Sequence, residues 1–326
     1  IFDPGNAYDA THFFRPITET ITEATPLIFG GLAVGAAFRA GLFNIGGQGQ
    51  LIVGAICATW AGFTITEPPV IAMIIAVLAG ILGGAVYGGL VGYLKATTGA
   101  HEVIVTIMLN YVALNFLQWL IKTNEFAQPG NIQPISKSVS GNARLPHLFG
   151  HDLRVNLGIV IAIVAALFVW WLFNRSTLGF QLRAVGANQK AARTAGMNVG
   201  RNQIMAMVIS GGLMGLVGVS QVLGTANANN ALTPQIDAGL GFTAITVALL
   251  GRASPLGTVL AALLFGALQA GGRSMQASAG VSIQIVTVIQ ALIVLFVAAP
   301  GLVREIFRLR GTRGAGDGLA AKGWNG

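Results

Sequence analysis

Nine apolar runs, nearly free of charge, decide what this chain can become. From Val70 to Leu94, twenty-five residues pass without one charged side chain. Further runs cover about residues 22–41, 50–66, 102–121, 155–173, 202–224, 239–251, 256–271 and 282–299. A helix needs roughly 20 apolar residues to cross the hydrocarbon core of a bilayer, and in lipid the backbone must satisfy its own hydrogen bonds. The expected fold is an all-α polytopic membrane protein with nine visible transmembrane helices, the run 239–251 being short for one. Only 9% of the residues are Asp, Glu, Lys or Arg, against about 25% in soluble domains, so a soluble globular class is excluded.

Charge placement gives the topology. The net charge of +8 points first to nucleic acid, but the basic residues gather between apolar runs, as membrane orientation requires. With the stretch Arg175 to Arg201 placed in the cytoplasm and the spans alternating, thirteen basic and three acidic residues fall inside, six and eight outside. This map treats residues 1–326 as a single transmembrane domain. Residues 1–21 and the loop 122–154 are then extracytoplasmic, and the basic tail 304–326 is cytoplasmic. It also implies an upstream span before Ile1, for ten in all. The single cysteine, Cys57, lies in an apolar run as packing filler, which excludes a disulfide framework and a cysteine metal site.

The run of spans is interrupted most sharply at Arg39–Gln50. Four glycines in nine residues, Gly41, Gly46, Gly47 and Gly49, weaken the helix, each by roughly 1 kcal/mol against alanine. Asn44, Gln48 and Gln50 put polar amides beside that loosened backbone. Irregular backbone in lipid is tolerated where protein buries it or where it lines a watery cavity, and interrupted helices mark the site in many transporters. The alternative is a tight turn between two packed spans, with glycines for close approach. Both readings make it a membrane turn.

Two other stretches carry pattern. Gly80, Gly84, Gly88 and Gly92 recur every fourth residue and open one helix face to close packing. The segment Arg175 to Arg201 holds five basic residues and no acid. Its alanines favour a short helix over Gln189–Ala195, capped by Asn188 and stopped by Gly196. A short helix at the membrane surface suits docking to a cytoplasmic partner.

Four blocks in order resemble a known family. Gly41-Leu-Phe-Asn-Ile-Gly-Gly-Gln-Gly-Gln50 is similar to the Gly-Leu-Phe-Asn-Ile-Gly-x-x-Gly-Gln motif of ABC importer permeases. His101-Glu-Val-Ile-Val-Thr-Ile-Met-Leu-Asn-Tyr111 resembles a second block. Leu178-Gly-Phe-Gln-Leu-Arg-Ala-Val-Gly-Ala-Asn188 with Ala195-Gly-Met-Asn198 resembles the coupling segment. Gly241-Phe-Thr-Ala-Ile-Thr-Val-Ala-Leu-Leu-Gly-Arg252 with Pro255-Leu-Gly257 resembles a fourth. The likeness spans nearly the whole chain and is to the branched-chain amino acid, ribose and nucleoside permease superfamily, in its nucleoside branch served by basic membrane lipoproteins. Members often carry glutamate where this chain has Gln48, and the Asp-Leu-Ser version usual in the sugar branch is absent.

The resemblance implies a type II ABC importer-like permease with broken helices and a cytoplasmic coupling helix, in a bacterial inner or plasma membrane. It implies a second permease subunit, a different homologous chain. Cytoplasmic ATP-binding subunits would use ATP and Mg, and an extracytoplasmic substrate-binding lipoprotein would deliver the ligand. It also implies coupling roles for Leu178, Gly179, Arg183, Gly186, Asn188, Ala192 and Gly196. The chain fits that division of labour: no lysine follows a glycine, so no Gly-Lys-[Ser/Thr] phosphate loop exists. No cofactor or metal is expected on this chain, and nucleic acid is not an expected partner.

The candidate substrate path is Phe43, Asn44, Gln48, Gln50, Thr106, Asn110, Asn115 and Phe242. Glu102, Thr106 and Asn110 share a helical face by their spacing of four, with Glu102 near the interface as a helix N-terminal carboxylate. Phe43 and Phe242 are placed either to stack on a base or to pack in the core. Gln284, Thr287 and Gln290 form a second polar stripe, for interhelical bonding or for the path. His147 and His151 stand four apart without a third metal ligand nearby. An ion-coupled secondary transporter, the alternative from a different class, would need buried acids at mid-span, for which Glu102 near a span end is a weak candidate. A membrane enzyme would need a deep catalytic set, and none is present. Amides and hydroxyls without fixed charge suit an uncharged, hydrogen-bonding ligand, a nucleoside first, then a simple sugar such as ribose or another small polar solute.

Overall fold

The computed structural model describes residues 7–130, 133–148, 150, 153–224 and 230–298, with the backbone alone at 7–13 and 297–298. The expected tail 304–326 and His151 lie outside the described residues. Eleven α-helices occur among those residues: α1 (Ala7–Arg39), α2 (Gly47–Thr64), α3 (Pro69–Thr98), α4 (Glu102–Leu120), α5 (Gly158–Arg175), α6 (Thr177–Ala187), α7 (Gln189–Thr194), α8 (Val199–Val222), α9 (Leu240–Leu250), α10 (Pro255–Ala279) and α11 (Gln284–Ala298). Each of the nine apolar runs falls on one helix, and α6 and α7 fill the basic segment. By length and apolarity six helices qualify as spans: α1 from Phe14, α3, α4, α5, α8 and α10. α9 and α11 are shorter apolar helices.

α1 begins earlier than its apolar run, so the segment 1–21 is helical from Ala7 onward. The polar residues there do not end the helix because their hydroxyls fold back onto it. Thr18 donates to the Arg15 carbonyl, Thr20 to Pro16, Thr22 to Thr18 and Thr25 to Ile21, at 2.8–2.9 Å. Two ion pairs then tie this half of α1 to its surroundings, Glu19 with Arg154 at 3.0 Å and Glu23 with Arg273 of α10.

The glycine stripe of α3 does what its spacing predicts. A Cβ on Gly84 would lie 2.8 Å from the Gly215 Cα, and one on Gly92 would lie 2.7 Å from the Ile204 Cα. Gly54 of α2 approaches the same Gly215, where a Cβ would meet its Cα at 2.6 Å. α8 is thus held backbone to backbone by two helices, and every residue from Ser210 to Val222 is buried. Cys57 fills space over Gly83, where a Cβ would lie 2.6 Å from its Sγ.

α3, α4, α5, α10 and α11 present their apolar residues outward, among them Leu82, Val86, Met108, Leu167, Leu256 and Val288. That is the inside-out pattern of helices facing lipid or another membrane chain. At the end of the bundle opposite α6 and α7, the long loop between α4 and α5 is laced to the loop after α8. Ser136, Val139 and Leu145 donate their amides to the carbonyls of Leu232, Asn230 and Leu223, and Ser140 donates to Gly62 at the end of α2.

Candidate functional site

The break between α1 and α2 occupies Ala40–Gly46, starting at Gly41 in a left-handed conformation, φ +72°. Its open backbone groups are met by amide side chains. Asn44 and Gln50 exchange hydrogen bonds, Asn44 Nδ2 to Gln50 Oε1 at 2.9 Å and Gln50 Nε2 to Asn44 Oδ1 at 3.2 Å. Asn44 Nδ2 also donates to Ser210 Oγ at 2.8 Å, and its Oδ1 accepts from the Gly46 amide at 3.0 Å. Ser210 Oγ in turn donates to the Ala33 carbonyl at 2.7 Å. On the other flank, Asn110 Oδ1 accepts from the Gly49 amide at 2.8 Å and Asn110 Nδ2 donates to the Ile45 carbonyl at 3.0 Å. Four elements therefore meet on one loop: α1, α2, α4 and α8.

This sorts the eight path candidates into two groups. Asn44, Gln50, Thr106 and Asn110 are buried and bond within the chain, Thr106 to the Glu102 and Val103 carbonyls. Thr106 also closes over Gly46, where a Cβ would meet its Cβ at 3.0 Å. Phe43, Asn115 and Phe242 are exposed and Gln48 is half-buried. Phe43 leans on Phe38, with ring centroids 4.7 Å apart. Gly241, just before Phe242, abuts the start of α2, where a Cβ would lie 2.6 Å from the Gln48 nitrogen. So the break carries a bonded interior and an outer rim of two rings and an amide, with the Glu102 carboxylate, paired to Lys95, accepting from the Phe43 backbone amide. Asn115, one turn beyond Asn110, returns its Nδ2 to the Tyr111 carbonyl at 2.8 Å and stands apart from the break.

The coupling candidates fold into a compact unit beneath that loop. Ser176 caps α6, accepting from the Gly179 amide at 3.0 Å while donating to Leu172 at 2.7 Å. Gly179 lets α6 turn back against α5, since a Cβ there would lie 2.8 Å from the Phe173 Cα. Leu178 packs on the main core. Asn188 caps α7 through the Lys190 and Ala191 amides, both at 3.0 Å, and Gly196 ends the unit at φ +81°. Ala192 is buried with Val185 and Val199 in a small core of its own. Gly186 touches the break itself, and Arg183 is exposed.

Sequence reasoning did not find the partners of several groups that hold these parts. Arg39, the last residue of α1, donates Nε to the Ala253 carbonyl at 2.8 Å and lies 5.3 Å above the Phe173 ring. Arg252 and Ala253 both adopt left-handed φ, 52° and 50°, a conformation that costs non-glycine residues roughly 1–2 kcal/mol each. Gly35 packs on Ala253, so the strained turn is held from two sides. Glu102 pairs with Lys95 at 2.6 Å, across the Gly99 turn. A basic residue ending α3 and an acid starting α4 were the available signal. Ser210 and Tyr87, which donates to the Leu109 carbonyl at 2.8 Å, gave none, because lone hydroxyls in apolar runs are common. Among the described residues no group of three His, Cys, Asp or Glu side chains converges, and His147 Nδ1 lies 3.2 Å from the Leu153 carbonyl.

Residues 17–298 match the profile of a family described as a branched-chain amino acid transport system, permease component. The chain is 40% identical over 302 residues to the guanosine ABC transporter permease protein NupP of Bacillus subtilis, covering 92% of this chain and 85% of that one. It is 36% identical over 291 residues to the nucleoside ABC transporter permease protein NupB of Lactococcus lactis, covering 87% and 79%. To the glucose ABC transporter permease protein TsgB13 of Haloferax volcanii it is 33% identical over 292 residues, covering 86% and 75%.

Proposed function

The chain belongs to the branched-chain amino acid transport system permease family, as the membrane-spanning permease of an ABC importer, and we propose that its cargo is a nucleoside. It is a transport subunit and not an enzyme, and ATP hydrolysis belongs to a separate chain. The observation that carries the cargo reading is its likeness to the guanosine and nucleoside permeases. The rim of the break supports it: Phe43 and Phe242 offer ring faces to a base, and Gln48 offers an amide, with no fixed charge among them. Stacking plus neutral hydrogen bonding is the chemistry a nucleoside asks for.

In this reading α6 and α7 face the cytoplasm, with Lys190 and Arg193 of α7 exposed toward the ATPase. The loop end laced by Ser136 and Val139 receives a binding lipoprotein. The six long apolar helices cross the membrane, the shorter apolar helices pack among them, and a second, different permease chain covers part of the outward apolar faces. Asn44, Gln50, Thr106 and Asn110 hold the break in shape, while Phe43, Gln48, Asn115 and Phe242 line the path.

The test is uptake of radiolabelled guanosine, uridine, ribose and glucose into proteoliposomes holding the chain with its ATPase, second permease and lipoprotein. ATP-dependent nucleoside uptake is expected. Sugar uptake without nucleoside uptake would move the cargo to sugars, as likeness to the glucose permease allows. Uptake by an ion gradient without the ATPase would refute the assigned energy source.

A further inference from the structure

We propose that the cavity between α5, α6 and the start of α8 is a binding site for the phosphate headgroup of an anionic phospholipid. The cavity holds about 740 Å³ and is lined by Arg175, Arg183 and Arg201, with no carboxylate in its wall. All three arginines are exposed, and Glu102, at the same end of the bundle, is committed to Lys95. The other two cations of the basic segment, Lys190 and Arg193, are not part of the lining. Three of the five cations in this segment therefore line one space, which orientation by loop charge does not require.

The wall also carries neutral donors, the hydroxyl of Thr177 and the amide of Gln181, while Asn174 Nδ2 already donates to the Trp170 carbonyl at 2.9 Å. Guanidinium forks and short donors match the oxygens of a phosphodiester. The surroundings select lipid as its source. Trp170 and Trp171, in the last turns of α5, and Phe180 of α6 are about half exposed, and indoles gather where a membrane meets water. The outer face of α5 below them is apolar and exposed at Val160, Ile163, Val164 and Leu167. A headgroup in the cavity would leave its acyl chains along that face. Basic pockets at helix ends hold acidic headgroups by the same electrostatics.

The site does not depend on the cargo, and its test needs no substrate. The full chain, purified in neutral detergent and stripped of lipid, is titrated with phosphatidylglycerol, phosphatidylcholine or inorganic phosphate and followed by native mass spectrometry. Arg175→Gln with Arg201→Gln is compared with Lys190→Gln with Arg193→Gln, which removes the same charge outside the cavity. Arg183 is left intact because its segment is also assigned to ATPase coupling. Phosphatidylglycerol is expected to bind well above phosphatidylcholine. The cavity variant should weaken it about 25-fold, at roughly fivefold per arginine, and the control by less than about twofold. Should the cavity variant aggregate, Arg175→Lys with Arg201→Lys keeps the charge but loses the fork, and a weakening of about threefold or more is expected.

Equal losses in both variants, equal binding of phosphatidylcholine, or displacement by equimolar inorganic phosphate would each overturn the assignment. So would a cavity variant, or the lysine pair standing in for it, that keeps phosphatidylglycerol but no longer retains the ATPase subunit, since the cavity would then serve that protein.

Discussion

Gly41 and Gly186 meet with no side chain between them. A Cβ on Gly186 would lie 2.6 Å from the Arg39 carbonyl oxygen and 2.8 Å from the Gly41 nitrogen, and one on Gly41 would lie 2.8 Å from the Gly186 Cα. The last turn of α6 thus bears directly on the residue that begins the break. Packed backbone of this kind is stiff, because neither partner has a rotamer with which to give way. Displacement of α6 by a docked ATPase would be felt at Gly41, and from there at the Asn44–Gln50 amide pair.

Gly186→Val should separate these backbones while leaving the spans intact. The expected result is a monodisperse protein whose substrate-stimulated ATPase, in the assembled transporter, falls at least about fivefold, the low end of usual coupling energies. Stimulation at the parent level would remove Gly186 from the coupling route.

Asn110→Leu should act on the shape of the break. It strands the Gly49 amide and the Ile45 carbonyl, and a buried polar group without a partner costs about 1–3 kcal/mol. Thermal stability in detergent and nucleoside uptake should fall together. Gln48→Leu removes a half-buried amide with no comparable duty, so uptake should fall while the melting temperature holds. A reversed pattern would exchange the structural and path roles of the two residues.

Gly84→Leu should be the most damaging of the glycine changes. Its side chain would have to enter the Gly215 backbone of α8, and overpacking of a tight interface costs about 1–3 kcal/mol or more. Loss of the monodisperse peak in gel filtration is expected. Gly99→Ala, in the open α3–α4 turn, should keep that peak despite its strained φ.

Arg273→Leu should destabilise more than the paired change with Glu23→Gln. Glu23 is buried while Arg273 is half exposed, so removing the arginine leaves a buried carboxylate without its cation and should cost less than the roughly 3–5 kcal/mol of a fully buried pair. The double variant should recover much of that loss in a thermal melt. Equal melting temperatures for the single and double variants would mean that water, not Arg273, satisfies the carboxylate.

The elements of this fold were legible because lipid imposes a simple rule on sequence. Each apolar run became a helix, and the four-residue glycine period named the face of α3 that packs. The helix at Gln189–Thr194 was legible too, since Asn188 and Gly196 are local signals that need no tertiary knowledge. The site was less so. Asn44, Gln50 and Asn110 were visible as polar residues in apolar surroundings, but a sequence does not tell an amide that meets cargo from one that meets backbone. The start of α1 was misplaced because residues 1–21 read as a polar segment, although Thr18 and Thr20 return their hydroxyls to their own helix. Arg39 was counted as a topology charge, and its contacts with Ala253 and Phe173 lie more than a hundred residues away.

The glycine face shared by α3 and α8 has one more consequence. The two helices mesh like a zip whose teeth are bare backbone, Gly84 and Gly88 against Gly211, Gly80 and Gly84 against Gly215. Rolling either helix about its own axis by one residue, about 100°, would turn Ile81, Ala85 or Val208 into a gap that holds no Cβ. The pair can therefore tilt or turn as a unit, but neither helix can roll against the other. If this permease opens alternately to its two sides, α3 and α8 form the axle, and the moving parts must be sought among the looser helices around them.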